Sequence, residues 1–178
     1  GAVARCDPAV DGEWSECVAS SPGQDHRATA WAAAGLARLG DGERAWQLAR
    51  LLDPAARGDG PPYLMSGGLR TIGPHAGRAI GGVATASAAW TWLLLVEALL
   101  GLERREDSLI LRPCLAPGWD GFSLRYRYRS AVYEVAVRVT DGPEVMLLDG
   151  QPCPDGRIVL QDDRRDHKVE LRLAGKPR

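Results

Sequence analysis

SLRYRYRSAVYEVAVRV, residues 123–139, is the stretch whose reading decides the fold class. Leu124, Tyr126 and Tyr128 alternate with Arg125, Arg127 and Arg129, and after Ser130 the alternation resumes with Val, Tyr and Glu. Successive side chains of a strand point to opposite faces, so this period of two predicts half-buried strands at 123–129 and 131–139. The same signals continue outward. Residues 108–112 form a short apolar strand, and Asp141-Gly142, Asp149-Gly150 and Asp155-Gly156 punctuate further strands at 144–148, 157–160 and 167–173. Short strands separated by such turns predict a small antiparallel β-sandwich. The three arginines read as its solvated outer face, balanced by acidic residues, rather than as a nucleic-acid stripe.

Toward the N-terminus the period becomes that of a helix. Residues 26–39 are alanine-rich, with Trp31, Leu36 and Leu39 as large apolar members, and Gly40 is suited to end the helix in the left-handed region. Asp41 caps a second helix, 43–52, whose Trp46, Leu48, Leu51 and Leu52 lie mostly on one side, and Asp53-Pro54 stops it. The two make an αα-hairpin. Residues 57–82 hold too many glycines and prolines for regular structure and read as a long loop. A strongly apolar helix, 85–100, follows, and Gly101 closes it. The chain is therefore expected to be α+β, with a helical domain at 1–104 and a sheet domain at 105–178.

The 22 basic side chains against 23 acidic ones argue against a general nucleic-acid binder, and the 45% hydrophobic content argues against long disorder. Cys6, Cys17, Cys114 and Cys153 stand far apart, with no C-x-x-C pair and no nearby histidine cluster. That spacing argues against a zinc site and for reduced thiols in the cytoplasm; no metal is expected. Residues 79–102 hold a single charge, Glu97, and meet the length of a membrane span. The Gly81-Gly82 opening and the interruption by Glu97 favour a helix buried in a large α-domain instead. Residues 1–11 have neither the basic start nor the apolar run of a signal peptide.

Two segments carry the chemistry: the loop Ile72-Gly73-Pro74-His75-Ala76-Gly77-Arg78 and the helix start Thr85-Ala86-Ser87. A helix N-terminus offers unpaired N–H groups and the positive end of the dipole, and so takes anions readily. The Thr85 hydroxyl can cap the helix or hold an oxyanion. Arg78 and His75 would add charge-assisted contacts to a phosphate.

Several motifs in order add a family resemblance. They are Trp31, Ala37-Arg38-Leu39-Gly40-Asp41-Gly42, Ala45-Trp46 and Leu52-Asp53-Pro54; then Ser87-Ala88-Ala89-Trp90, Leu99-Leu100-Gly101-Leu102, Leu111-Arg112-Pro113-Cys114 and Trp119-Asp120-Gly121-Phe122. The run Leu124-Arg125-Tyr126-Arg127-Tyr128 and Ala131-Val132-Tyr133-Glu134-Val135 continues the pattern. Together they resemble the C-terminal signature of glycoside hydrolase family 94, formerly glycosyltransferase family 36. That family comprises cellobiose and chitobiose phosphorylases and the tail of cyclic β-1,2-glucan synthases.

The resemblance implies an (α/α)6 barrel followed by a small β-sandwich, this chain supplying the last barrel helices. It also implies inverting phosphorolysis of a β-linked glucoside or glucan. An Asp acid protonates the glycosidic oxygen while inorganic phosphate, the co-substrate, attacks the anomeric carbon from the opposite face. No Trp-Asn-Asp-like motif occurs in residues 1–178, so the acid is expected upstream and the chain alone is expected to be inactive. The family's Thr-Gly falls on Thr85 and Ala86, which keeps the hydroxyl and adds a Cβ where phosphate approaches the backbone. Its phosphate-contacting His falls on Arg27, with His26 beside it, and arginine is a bidentate phosphate donor. Gln24 matches the family's upstream Gln, and His75 and Arg78 match the substrate-side loop. The usual aromatic cluster is replaced by Gly81-Gly82-Val83-Ala84, which removes sugar-stacking surface. No cofactor is implied. The implied partners are the sugar, the rest of the parent polypeptide and a second copy of the parent. The implied location is the cytoplasm, with inner-membrane association of the parent as a variant. The alternative is a non-catalytic carbohydrate-binding or structural remnant.

Overall fold

The computed structural model describes residues 4–5, 23–55, 64–153 and 155–175. The chain divides into two compact units, Gly1–Leu99 and Leu100–Arg178, five residues before the expected 104/105 boundary.

In the first unit, helix α1 (His26–Arg38) starts at Asp25, whose carboxylate accepts the Ala28 N–H at 2.9 Å. It ends in a Schellman turn: the Gly40 N–H reaches Ala37 O and the Asp41 N–H reaches Leu36 O, each at 3.0 Å, with Gly40 at φ +80°. Asp41 then caps α2 (Gly42–Arg50) by accepting the Arg44 N–H at 3.2 Å. The hairpin buries Ala30, Ala33, Ala37, Ala45, Leu48 and Leu52. These are the helices the sequence predicts. Helix α3 (Thr85–Leu93) continues as a π-helix over Leu94–Leu99. Its burial is expected in a large α-domain, of which this chain would supply only the last helices. Leu94, Ala98 and Leu99 are buried, but Trp90, Trp92 and Leu95 are 40%, 58% and 39% exposed. Among the described residues α1, α2 and β3 pack against it.

The same unit holds a four-stranded antiparallel sheet in the order β1 (Ala4–Arg5), β2 (Gly23–Asp25), β3 (Ser66–Arg70), β4 (Ala79–Val83). Most of the predicted loop is therefore a hairpin, β3–β4; residues 56–63 lie outside the described residues. The glycines that argue against a strand are what allow this one. A Cβ on Gly68 would lie 2.1 Å from the backbone oxygen of Gln24, so β2 and β3 pair only without a side chain there.

The second unit runs β5 (Leu102–Arg105), β6 (Ser108–Leu111), β7 (Gly121–Tyr128), β8 (Ala131–Thr140), β9 (Val145–Leu148), β10 (Gln151–Pro152), β11 (Arg157–Val159) and β12 (Asp166–Ala174). A five-stranded sheet, β10-β9-β12-β8-β7, and a three-stranded one, β11-β6-β5, share a core. Leu109, Leu111, Tyr133, Val135, Val137, Ile158, Val169 and Leu171 fill it. Each fully buried aliphatic side chain of this kind stabilises the fold by about 1.5–3 kcal/mol. The expectation of a purely antiparallel sandwich is corrected: β12 pairs with β8 in parallel from Asp166↔Val132 to Ala174↔Thr140. β12 enters between β8 and β9 and runs antiparallel to β9, so it takes the direction of β8. Alternation of apolar residues suits either direction. The described residues are α+β, with one mixed sheet and two antiparallel ones.

Candidate functional site

In the first unit, β2 hands over to α1 and β4 hands over to α3, while β3 lies between them. Asp25 stands opposite Gly68 and Ser66 opposite Val83, so both helices leave the same sheet edge. Two strand spacings separate their starts, about 10 Å. They then run side by side. Trp31 and Trp90, each five residues beyond its helix's first residue, meet edge to face with ring centroids 5.3 Å apart. One short piece of chain anchors both starts. His26 Nδ1–H donates to Ser66 O at 2.9 Å, and the Ala84 N–H donates to Met65 O at 2.8 Å. Two parallel helices thus bring their positive ends together, an arrangement that an anion at this edge would relieve.

Four of the sequence-predicted residues gather at this edge. Arg27 is the second residue of α1 and is exposed; Thr85 and Ala86, the first two of α3, are exposed too. The N-cap position of α3 is Ala84, and no side chain caps it, so Thr85 does not take up the capping role. Gln24, the residue before Asp25 on β2, is buried, and its amide nitrogen finds no hydrogen-bond partner among the described residues. His75 and Arg78 lie elsewhere. They sit in the β3–β4 hairpin tip, closed by the Arg70 N–H to Arg78 O bond at 3.0 Å and the Gly77 N–H to Arg70 O bond at 2.9 Å. That tip is at the opposite end of β3 from Ser66, roughly 13 Å away along a strand of this length. Both are exposed. Strand β4 separates them from the helix start that follows them in sequence.

The sequence reading noted His26 beside Arg27 and Ser87 in the helix start without giving either a role, and it did not single out Ser66 or Thr91. His26 is completely buried and spends its Nδ1 proton on Ser66, so it pins α1 to β3 while its neighbour Arg27 turns outward. Ser66 supplies that anchor. Ser87 is also completely buried, and its hydroxyl, like that of Thr91 one turn on, has no hydrogen-bond partner among the described residues. Buried hydroxyls of this kind commonly hold ordered water. Ser87 and Thr91, two small polar residues four apart and so on one face of a mostly apolar helix, were the available signal. Among the described residues no group of three or more His, Cys, Asp or Glu is arranged to hold a metal. No helix there is long and apolar enough to cross a membrane.

Residues 102–154 match the family model described as glycosyl hydrolase family 65, C-terminal domain. The chain is 28% identical over 140 residues to the cyclic beta-(1,2)-glucan synthase NdvB of Rhizobium meliloti, covering 74% of this chain and 5% of that protein. It is 28% identical over 156 residues to the N,N'-diacetylchitobiose phosphorylase of Vibrio proteolyticus, covering 81% of this chain and 19% of that protein. It is 26% identical over 102 residues to the solabiose phosphorylase of Paenibacillus borealis, covering 55% of this chain and 13% of that protein. The chain thus spans no more than about a fifth of these relatives. It resembles the C-terminal region of such phosphorylases and of the glucan synthase, as its motifs imply. The matched model carries the number 65 where the motifs point to family 94.

Proposed function

We propose that this chain is the C-terminal segment of a protein of the glycoside phosphorylase or cyclic β-1,2-glucan synthase type, acting on β-linked glucosides by inverting phosphorolysis. Its first unit supplies the last helices of an (α/α)6 barrel, and its second unit is the β-sandwich that follows. The observation that carries this reading is the pair of parallel helix N-termini with Arg27 and Thr85 exposed beside them, in a chain whose relatives include phosphorylases. Inorganic phosphate suits such an edge. The Arg27 guanidinium is a bidentate donor, the Thr85 hydroxyl a neutral one, and the first-turn N–H groups of α3 add a third set.

In this reading the chain binds and orients phosphate, and the general acid comes from the rest of the parent polypeptide. The acid gives its proton to the glycosidic oxygen as a phosphate oxygen attacks the anomeric carbon from the opposite face, so the sugar phosphate leaves with inverted configuration. Gln24, His75 and Arg78 serve the sugar side in the assembled parent. The partners are the glucoside or glucan, the remaining polypeptide and a second copy of the parent, in the cytoplasm.

The replacement of the family's glycine by Ala86 favours a second reading, a non-catalytic remnant, because its Cβ narrows the approach to the α3 backbone. Phosphate dependence of the intact protein decides between them. Arg27→Ala removes a charge-assisted contact of about 1.5–3 kcal/mol and raises the phosphate requirement roughly ten- to a hundredfold, leaving the sugar requirement nearly unchanged. Thr85→Val does the same more mildly. Phosphate dependence untouched by Arg27→Ala, or no phosphorolysis by the intact protein, leaves the remnant reading in its place.

A further inference from the structure

His167, the second residue of β12, is 9% exposed. Its Nδ1 lies 2.7 Å from Asp149 Oδ2 and its Nε2 lies 3.2 Å from Asp163 Oδ1. A neutral imidazole has one N–H and one lone pair, so it satisfies one carboxylate and turns a lone pair toward the other. Facing two, it needs both protons. The ring also lies on that of Tyr133, with centroids 4.7 Å apart and planes 21° from parallel, the surface over which a cation is favoured.

Each element packed against the ring contributes a group. The turn after β9 presents Asp149, the connection into β12 presents Asp163, and β8 presents Tyr133. On β12 itself, Asp166 and Lys168 alternate to the outer face. The hydrogen bond that His167 donates to Asp149 raises the His167 pKa above its usual value; burial opposes the shift and Asp163 reinforces it. Asp149 is lowered in turn by His167 and by the Lys168 N–H. Burial would raise Asp163, yet the Arg165 N–H and His167 bring it below its usual value.

We propose that His167 is a protonation latch in the second unit: as the imidazolium it ties the β9–β10 turn and the connection that precedes β12 to the start of β12, and on losing a proton it releases Asp163. Asp149 keeps its hold because its contact is the shorter one and because its other oxygen accepts the Lys168 N–H at 2.7 Å. The folded pKa of His167 is raised, so the latch is complete below about 6.5 and is lost as pH rises through that folded value. On the acid side it is lost as pH falls through the lowered carboxylate values, below 3.8. The latch rests on the second unit alone and stands apart from the phosphorolysis reading.

Long-range proton–nitrogen NMR of the full chain, titrated from pH 5 to 9, tests it. Both ring nitrogens of His167 carry protons at the acid end, the ring titrates above the usual histidine value, and Nε2–H is the one lost. Across that titration the Gln161 and Arg165 amides exchange with solvent more steeply than base catalysis alone produces. Asp163→Asn keeps the shape and removes the charge, which lowers the His167 pKa and abolishes the excess exchange. A ring with one N–H at the acid end, a pKa at or below the usual value, or a pKa unmoved by Asp163→Asn overturns the latch. The first two readouts need only the wild-type chain.

Discussion

Gly68→Ala and Gly35→Ala are chemically the same substitution and should change stability in opposite directions. At Gly68 the new Cβ would stand 2.1 Å from Gln24 O and 3.2 Å from its carbonyl carbon. No real Cβ sits closer than 3.0 Å to such an atom, so β2 and β3 must part by about 1 Å at the Asp25↔Gly68 pair. Overpacking against an unyielding backbone costs about 1–3 kcal/mol. Reduced freedom of the unfolded chain offsets about 0.4–1 kcal/mol of that. The net expectation is a loss of about 1–2 kcal/mol, because the clash is with backbone rather than with a flexible side chain. Gly35 lies inside α1, exposed, with nothing within 4 Å of its added Cβ. Only the gain operates there, about 0.5–1 kcal/mol. Urea unfolding followed by tryptophan fluorescence reads both, since five of the six tryptophans, Trp14, Trp31, Trp46, Trp90 and Trp92, belong to the first unit and only Trp119 to the second. A Gly68→Ala midpoint at or above the wild-type one, or shifts of the same sign in both variants, would refute the close approach of β2 to β3.

Removing the cap of α1 by Asp25→Ala should cost about 1–2 kcal/mol and lower the helical signal in a thermal melt followed by circular dichroism. In the second unit, the Tyr133 hydroxyl accepts the Gln161 N–H at 2.7 Å. Tyr133→Phe strands that donor at about 1–2 kcal/mol, whereas Tyr133→Ala also empties the core and costs about 3–5 kcal/mol; exchange of the β8 amides separates the two. Restoring the family glycine by Ala86→Gly should lower the phosphate requirement of the intact protein severalfold while leaving its sugar requirement alone. A raised phosphate requirement would mean that the Ala86 Cβ does not crowd the anion.

Much of the secondary structure was legible because its causes are local. The α1–α2 hairpin follows from Asp25, Gly40 and Asp41, each acting on backbone groups within five residues of itself. The inward face of β8 follows from the alternation of Ala131, Tyr133, Val135 and Val137, which is complete without knowing what the strand pairs with. The site was legible only in outline. Arg27, Thr85 and Ala86 could be singled out as candidates, but nothing within a few residues says that two helix starts share one sheet edge.

The sequence by itself determined where α1 and α2 begin and end to within two residues, the strands after residue 107 other than the two-residue β10, and which of their faces is apolar, because capping and period act over one or two turns of chain. Only the tertiary structure decided the partners. Alternation has no direction, so the parallel docking of β12 on β8 came from β12 entering between β8 and β9. Glycines disfavour strands locally, so the β3–β4 hairpin depended on β2 lying too close for any side chain at Gly68. The phase at which β2 passes into α1 settled that His26 points inward and Arg27 outward, since two adjacent polar residues compete for one buried position and the carbonyl of Ser66, forty residues away in sequence, is there to receive the imidazole.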